Sequence, residues 1–123
     1  MSYYVVDPTD IDVAPNRPCE MKSISDAVGM ENMGVRRYDV RPGADIPLSG
    51  LHYHDEQEEV FYVVDGELRV ETPDSEYVVE RDQFFVAEPE HPHRAYNHAK
   101  ARENAVIIAM GAPAVSDAHS YDG

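Results

Sequence analysis

The sequence predicts an all-β protein built as a single sandwich or barrel. Short apolar or alternating runs recur from position 35 onward, at the spacing typical of such folds. Turn-forming pairs such as Asp65-Gly66 and Glu88-Pro89 separate the runs, and no strong helical period lies between them. The predicted strands are residues 35–40, 51–54, 59–64, 68–72, 77–79, 84–87, 93–97 and 105–110.

Before these strands, residues 1–34 are expected to form an N-terminal arm that is partly irregular. Residues 3–6 are two tyrosines and two valines, which favour a short strand. Prolines at positions 8, 15 and 18 interrupt the polar segment that follows, so we expect it to wrap around the core. Residues 23–33 predict a short helical turn that starts at a Ser or Asp cap and ends near Gly29 or Gly34.

Residues 35–110 are expected to form the barrel. Asp65-Gly66 predicts a type I′ hairpin between the strands on either side, because such a turn needs positive φ at both positions. Alternation along these two strands predicts a set of inward-facing side chains, namely Glu59, Phe61, Val63, Leu68 and Val70. Residues 111–123 are mainly small or polar and are expected to form a flexible tail.

The chain has the length of one domain and is strongly acidic. Its 123 residues include 24 acidic and 10 basic side chains, which give a formal net charge of −14 with neutral histidine, and no basic cluster is present. Such a surface repels phosphate backbones and anionic lipid headgroups, so we expect no nucleic-acid or membrane partner. Carboxylates spread along the whole chain are typical of halophilic microbes, where salt screens their repulsion. An ordinary acidic mesophilic protein is the alternative interpretation.

The single cysteine, Cys19, allows no internal disulfide and is interpreted as a structural thiol. No apolar N-terminal run follows a basic start, and the longest apolar stretch, residues 105–110, is too short to span a bilayer. These features predict a soluble, cytoplasmic protein.

Four of the six histidines form two groups, His52-Tyr53-His54 and His91-Pro92-His93. On a strand, His52 and His54 project to the same side about 6.5 to 7 Å apart, close enough to bind one metal ion. Glu59 lies five residues further on, where a turn can bring its carboxylate back. A lone His-x-His is nevertheless a weak signal, because surface histidines at this spacing are common.

The pattern around these histidines resembles the cupin superfamily. The first cupin motif, Gly-x5-His-x-His-x3–4-Glu-x6-Gly, is matched by His52, His54, Glu59 and Gly66. The second motif, Gly-x5-Pro-x-Gly-x2-His-x3-Asn, is matched in part, with its histidine and asparagine at positions 93 and 97.

Four departures affect turns and remove no ligand. Gly50 lies closer to the His-x-His than the family glycine, Arg81 and Glu90 replace glycines, and one residue is inserted before Pro92. The resemblance covers residues 35–110 and implies a double-stranded β-helix, a jelly-roll-like barrel. It also implies one metal ion held by a set of four ligands, namely His52, His54, Glu59 and His93.

The other histidines fit this pattern less well. His93 is preferred over His91 because of its distance to Asn97, and His91 is interpreted as a residue of the pocket rim. His98 and His119 are interpreted as solvated, and Asn97 as a hydrogen-bond partner of the backbone.

Three imidazoles and one carboxylate suit Fe, Mn, Ni, Co, Cu or Zn as divalent ions, and the sequence does not choose among them. The first functional hypothesis is a metalloenzyme, a dioxygenase or isomerase-like protein acting on a small oxygenated organic substrate. The alternative is a metal-dependent binding protein without turnover, and a purely structural barrel is the third. No catalytic acid or base is assigned.

Two further interpretations concern the surroundings of the site. Tyr38, Arg36 and Arg94 are candidates for positioning a substrate, although each has an ordinary role in a core or on a surface as its alternative. A homodimer is expected, because a strand at residues 3–6 can add to the sheet edge of a partner.

Overall fold

The computed structural model describes residues 2–122 and confirms an all-β fold with very little helix. A 3-10 helix at Pro8–Asp10 and one α-helix, α1, Ile24–Val28, accompany the strands. The strands in chain order are β1 Glu20–Ser23, β2 Gly34–Val40, β3 His52–His54, β4 Glu58–Asp65, β5 Glu67–Glu71, β6 Glu76–Glu80, β7 Phe84–Ala87, β8 Arg94–Tyr96, β9 Ala105–Ala112 and β10 Ala118–Ser120. All eight predicted strands are present, with ends shifted by at most two residues.

The strands form two packed layers with the core between them. One layer is a five-stranded sheet in the order β1-β2-β9-β4-β7, and the other contains the three-stranded sheet β6-β5-β8. A two-stranded sheet, β10-β3, is joined to the end of the second layer by paired backbone hydrogen bonds between His52 and His93. All strand pairings are antiparallel.

The core is apolar and contains residues from both layers. Phe61 and Val63 on β4 meet Leu68 and Val70 on β5, and all four are at most 2% exposed, as strand alternation predicted. Complete burial of a side chain of this size contributes about 1.5 to 3 kcal/mol each. The core therefore fixes which face of β4 is inward, and Glu59 shares that face.

The N-terminal arm differs from the prediction at residues 3–6. No strand forms there, and Tyr3 and Val5 are 89% and 103% exposed. Instead, β1 at Glu20–Ser23 pairs with β2 and buries only Met21, a pattern too polar to be recognised in the sequence. The short helix α1 follows the expected signals, because the Ser23 hydroxyl accepts the Asp26 N–H.

The prediction of a hairpin at Asp65-Gly66 is wrong. At this point the chain passes from β4 in the five-stranded sheet to β5 in the other sheet, and the two strands do not pair. Only Gly66 of the pair has positive φ, at 78°. A Cβ atom there would lie 2.7 Å from the Asn104 carbonyl oxygen, so glycine is required by the close crossing of two chain segments.

The C-terminal segment also differs from the expected flexible tail. Strand β9 continues to Ala112, and β10 pairs with β3, with Ala118 opposite His54. The small and polar side chains of this segment suggested disorder. They gave no sign of β10, because the ladder with β3 is formed by backbone groups. Residues 118–120 thus lie directly beside the histidine strand.

Two smaller expectations are confirmed. Cys19 is buried and unpaired, and burial raises the pKa of its thiol to about 11. The Asn97 side chain is 1% exposed and donates to the backbone carbonyls of Val40 and Glu103.

No helix within residues 2–122 is long and apolar enough to cross a membrane.

Candidate metal centre

The two histidine groups of the sequence meet at a backbone bridge. The His52 N–H donates to the His93 carbonyl at 3.1 Å, and the His93 N–H donates back to His52 at 2.9 Å. Both residues are buried, with 5% and 2% exposure. Forty-one residues apart in the chain by numbering, they are direct neighbours in the fold, with ring centroids 4.8 Å apart.

Every histidine of the predicted set has its Nδ1 atom next to an oxygen acceptor. Nδ1 of His52 lies 3.2 Å from the Gly50 carbonyl, and Nδ1 of His93 lies 3.0 Å from the His91 carbonyl. Nδ1 of His54 lies 3.0 Å from a carboxylate oxygen of Asp117. Because carbonyl and carboxylate oxygens only accept, each Nδ1 carries a proton, which leaves Nε2 as the atom for the site.

Glu59 supplies the carboxylate to which two of these rings point. Its Oε1 atom lies 2.7 Å from His93 Nε2 and 3.2 Å from His54 Nε2. Strand alternation turns Glu59 inward and leaves Glu58 exposed, as the motif spacing required. Burial opposes ionisation of Glu59, but His54 and His93 outweigh it and lower the pKa of this carboxyl to about 2. The carboxylate is therefore ionised at neutral pH.

The imidazoles have different electrostatic surroundings. Burial lowers the pKa of His52, so that its ring favours the neutral form that a metal ligand requires. The neighbouring Glu59 carboxylate raises the pKa of His54, and Asp117 contributes in the same direction.

Three of the four predicted ligands form a tight group. Donor atoms of His52, Glu59 and His93 all lie within 4.8 Å of one another, so this cluster is capable of holding a metal ion. His54 is outside that group, with its ring centroid 5.3 Å from His52 and 6.3 Å from His93. Its Nε2 atom is buried and makes no hydrogen bond, although Glu59 lies beside it.

The donor set fits a divalent transition metal. An unsatisfied buried nitrogen costs free energy unless a partner reaches it, and a cation between Glu59 and the three rings provides that partner. Ring nitrogens whose other N–H is held by a carbonyl or carboxylate are the usual arrangement of histidine ligands. That His52, His54, Glu59 and His93 bind a metal ion remains a prediction.

The remaining sequence candidates are not members of this cluster. Arg94 donates to Asp45 at 2.6 Å and to Glu71 at 2.9 Å and lies over the ring of Tyr96, so its charge is already paired. Tyr38 is 4% exposed, and burial raises its pKa to about 12. Arg36 is exposed on β2. None of the three is shown to position a substrate.

The two histidines expected to be solvated have partners outside the cluster. His98 Nδ1 accepts the backbone N–H of Lys100, and His119 pairs with the exposed Asp55 carboxylate at 2.7 Å. His91 is exposed and lies in the wall of a cavity of about 380 Å³ next to His93. That position agrees with its interpretation as a rim residue.

Sequence reasoning missed two features of the site. One is the cavity, whose wall includes Tyr77 on β6 and Phe85 on β7, the free edges of the two layers. The other is Asp117, which lies 63 residues after His54 in a segment of small and polar residues. No local signal marks either, because both depend on strands that meet only in the folded chain.

Comparison with known proteins identifies the family of this chain. A family model described as a cupin domain matches residues 36–110, more than half of the chain. The chain belongs to the cupin family. A comparison with curated proteins found no match.

Solved structures share the cupin fold at low sequence identity. One is a sugar phosphate isomerase of the cupin superfamily from Silicibacter pomeroyi, which is 23% identical with a TM-score of 0.79. The alignment covers 98% of this cupin and 83% of that chain. The polyketide cyclase RemF from Streptomyces resistomycificus is 15% identical with a TM-score of 0.79, over 98% and 87% of the two chains.

A third structure is longer than this cupin. It comes from Acidithiobacillus ferrooxidans, is provisionally assigned as a sugar phosphate isomerase, and is 23% identical with a TM-score of 0.66. The alignment covers 76% of this cupin, which spans 58% of the length of that protein.

Proposed function

We propose that this cupin binds one divalent transition metal ion through His52, His54, Glu59 and His93 and acts on a small oxygenated organic substrate. The observation that carries the proposal is the position of the three imidazoles around the Glu59 carboxylate. Each holds its Nδ1 proton against an oxygen acceptor and keeps Nε2 for the site around the ionised Glu59 carboxylate.

The bound ion would act as a Lewis acid toward a carbonyl or enediolate oxygen, or bring dioxygen and a chelating substrate together. The protein's own residues would orient the substrate and exclude water from the site. Phe61 packs against the His93 ring, with centroids 6.1 Å apart, and closes the inner side of the site. The cavity of about 380 Å³ that His93 helps to line has room for a small molecule.

Isomerase-like chemistry is the first candidate reaction. The shared fold with the sugar phosphate isomerase of Silicibacter pomeroyi supports this choice. His91 and Glu88 lie in the cavity wall and are candidates for moving a proton on a bound substrate. A dioxygenase would use the same ligand set, and a metal-dependent binding protein without turnover is the alternative function.

The proposal is tested by metal content and by turnover. Untagged protein is loaded with Mn, Fe, Co, Ni, Cu or Zn, dialysed and analysed by elemental mass spectrometry. We expect about one ion per chain in the wild type and in the His98→Ala control, and a large loss in His54→Ala with an unchanged circular dichroism spectrum. Equal metal content in His54→Ala and wild type would contradict the assigned site.

The same loaded protein then distinguishes turnover from binding. Assays for sugar-phosphate isomerisation and oxygen uptake test the two enzymatic candidates. Substrate-dependent thermal stabilisation without product formation would favour the binding protein.

We further propose that the protein is a homodimer in which residues 3–6 of one copy lie along β7 of the other. Tyr3 and Val5 are exposed, and so are Phe84 and Val86 on β7, at 62% and 57%. Strand β7 is one of the two edge strands of the five-stranded sheet, and an edge strand can pair with an extended segment of another chain. The acidic surface and the free Cys19 support a cytoplasmic location in a halophilic microbe.

A further inference from the structure

Asp117 lies in the C-terminal segment just before β10, and its carboxylate makes three contacts within hydrogen-bond distance. Oδ1 lies 3.0 Å from His54 Nδ1, and Oδ2 accepts the backbone N–H groups of Glu56 at 2.6 Å and Gln57 at 3.0 Å. The Asp117 side chain is 13% exposed. We propose that Asp117 is a positioning residue that fixes the tautomer and orientation of His54 for metal binding, an inference that rests on the proposed function.

The first contact decides which nitrogen of His54 is available. An ionised carboxylate only accepts hydrogen bonds, so His54 keeps its proton on Nδ1 and presents Nε2 toward Glu59. A carboxylate behind a histidine also makes the opposite nitrogen a better donor to a cation. Asp117 therefore holds the ring in the one state in which it can serve as a ligand.

The other two contacts, to the N–H groups of Glu56 and Gln57, fix the backbone between two predicted ligands. Glu56 and Gln57 lie in the connection from β3 to β4, which separates His54 from Glu59. Because one carboxylate binds both this connection and the His54 ring, it sets the two ligands relative to each other. The pairing of Ala118 with His54 brings Asp117 to this place.

His54 differs from the other two histidines in the origin of the group that holds its Nδ1 atom. Nδ1 of His52 and Nδ1 of His93 are held by carbonyls only two residues earlier in the chain, so both anchors belong to the motifs themselves. The anchor of His54 comes from outside residues 36–110, the region that matches the cupin family. The C-terminal segment is thus part of the metal centre.

The test compares Asp117→Asn with Asp55→Asn in the full-length protein. The Asp55 carboxylate binds His119 of β10 and so connects the same two segments, but the partner of His54 Nδ1 is Asp117 and not this carboxylate. Affinity for Zn(II) and Co(II) is measured by competition with a chelator. We expect Asp117→Asn to weaken binding about 10- to 100-fold, and Asp55→Asn to bind like the wild type.

A second measurement reports on the ring without any metal. Nitrogen–proton correlation NMR of the metal-free proteins identifies which His54 nitrogen is protonated. We expect the Nδ1–H form in the wild type and in Asp55→Asn, and a shift toward Nε2–H in Asp117→Asn. This readout separates the positioning role from the proposed function, because it holds even if the wild type binds no metal.

Two results would overturn the inference. One is an Asp117→Asn variant with wild-type metal affinity and an unchanged His54 tautomer. The other is an equal loss of affinity in both variants, because general loosening of the C-terminal segment would then explain the effect. If Asp117→Asn fails to fold, Asp117→Glu, which keeps the carboxylate, replaces it; partial retention of affinity and of the Nδ1–H form supports the inference, and Nε2–H in a folded Asp117→Glu overturns it.

Discussion

At the scale of single residues, the position of one proton determines what a histidine can do. The His98 ring uses its Nδ1 atom as an acceptor for a backbone N–H, which leaves its proton on Nε2. The rings of His52, His54 and His93 have the opposite arrangement, with Nδ1 facing an oxygen acceptor. Nδ1 of the exposed His91 also faces a carbonyl, that of Pro89 at 2.9 Å. The three predicted ligands are therefore distinguished by this arrangement together with the Glu59 carboxylate beside their rings.

Another residue-scale feature is the left-handed conformation of Glu90, which has a φ of 70°. It lies where the cupin motif has a glycine, and its backbone N–H donates to the His54 carbonyl at 2.7 Å. A side chain in this conformation costs about 1 to 2 kcal/mol. Glu90 therefore keeps the backbone conformation of the motif glycine but lowers the stability of the folded protein.

The substitution Glu90→Gly should accordingly stabilise the protein. We expect an increase of about 0.5 to 1 kcal/mol in the free energy of unfolding, since glycine removes the strain but gives the unfolded chain more freedom. Urea denaturation monitored by circular dichroism measures it. Glu103→Gly, at an exposed position without positive φ, is the control and should lower stability. Equal losses in the two variants would contradict the argument.

At the scale of elements, the free edge of β7 is the feature that calls for a partner. Phe84 and Val86 are exposed there, on an otherwise acidic protein, and edge strands with apolar side chains readily pair with another chain.

The proposed dimer predicts that Val86→Glu converts the protein to a monomer. A charge on β7 would have to be buried against the arm of the second copy, which is unfavourable. Light scattering coupled to gel filtration should give the mass of two chains for the wild type and of one chain for the variant. Val115→Glu, which alters an exposed valine away from β7, should remain dimeric. A monomeric wild type, or dissociation of both variants, would refute the proposed contact.

Elements also show where sequence reasoning succeeded and where it did not. The candidate ligands could be recognised because His52, His54 and Glu59 lie within eight consecutive residues, and His93 lies four residues before Asn97. Strand alternation then oriented Glu59 correctly. These signals are local, and so they can be read from the chain alone.

The errors arise from pairings between distant segments. Asp65-Gly66 has the composition of a hairpin turn, yet β4 and β5 belong to different sheets. Strand β10 and Asp117 depend on an alignment with β3 more than sixty residues earlier. Neither the order of strands in a sheet nor an anchor from another segment leaves a periodic trace in the sequence.

At the scale of the whole molecule, the charge of −14 describes the surface more than the site. Of the acidic residues, Glu59 and Asp117 belong to the proposed metal centre. Most of the others repel one another across water at separations that salt screens effectively, since the Debye length falls to about 3 Å at 1 M.

The halophilic interpretation therefore predicts that stability rises with salt. The free energy of unfolding, from urea titrations in about 0.1 M and about 2 M KCl, should be higher at the higher concentration, because screening removes the repulsion in the folded state. Titrations of the metal-free protein keep metal binding out of the comparison. Equal or greater stability in dilute buffer would contradict this interpretation.

The central claim is that His52, His54, Glu59 and His93 together hold one ion. Anomalous diffraction from crystals of the metal-loaded protein, recorded at the absorption edge of the added metal, tests it most directly. The account predicts one strong peak per chain, enclosed by the three Nε2 atoms and the Glu59 carboxylate. A peak elsewhere, or a metal-saturated crystal in which His54 points away from the ion, would contradict it.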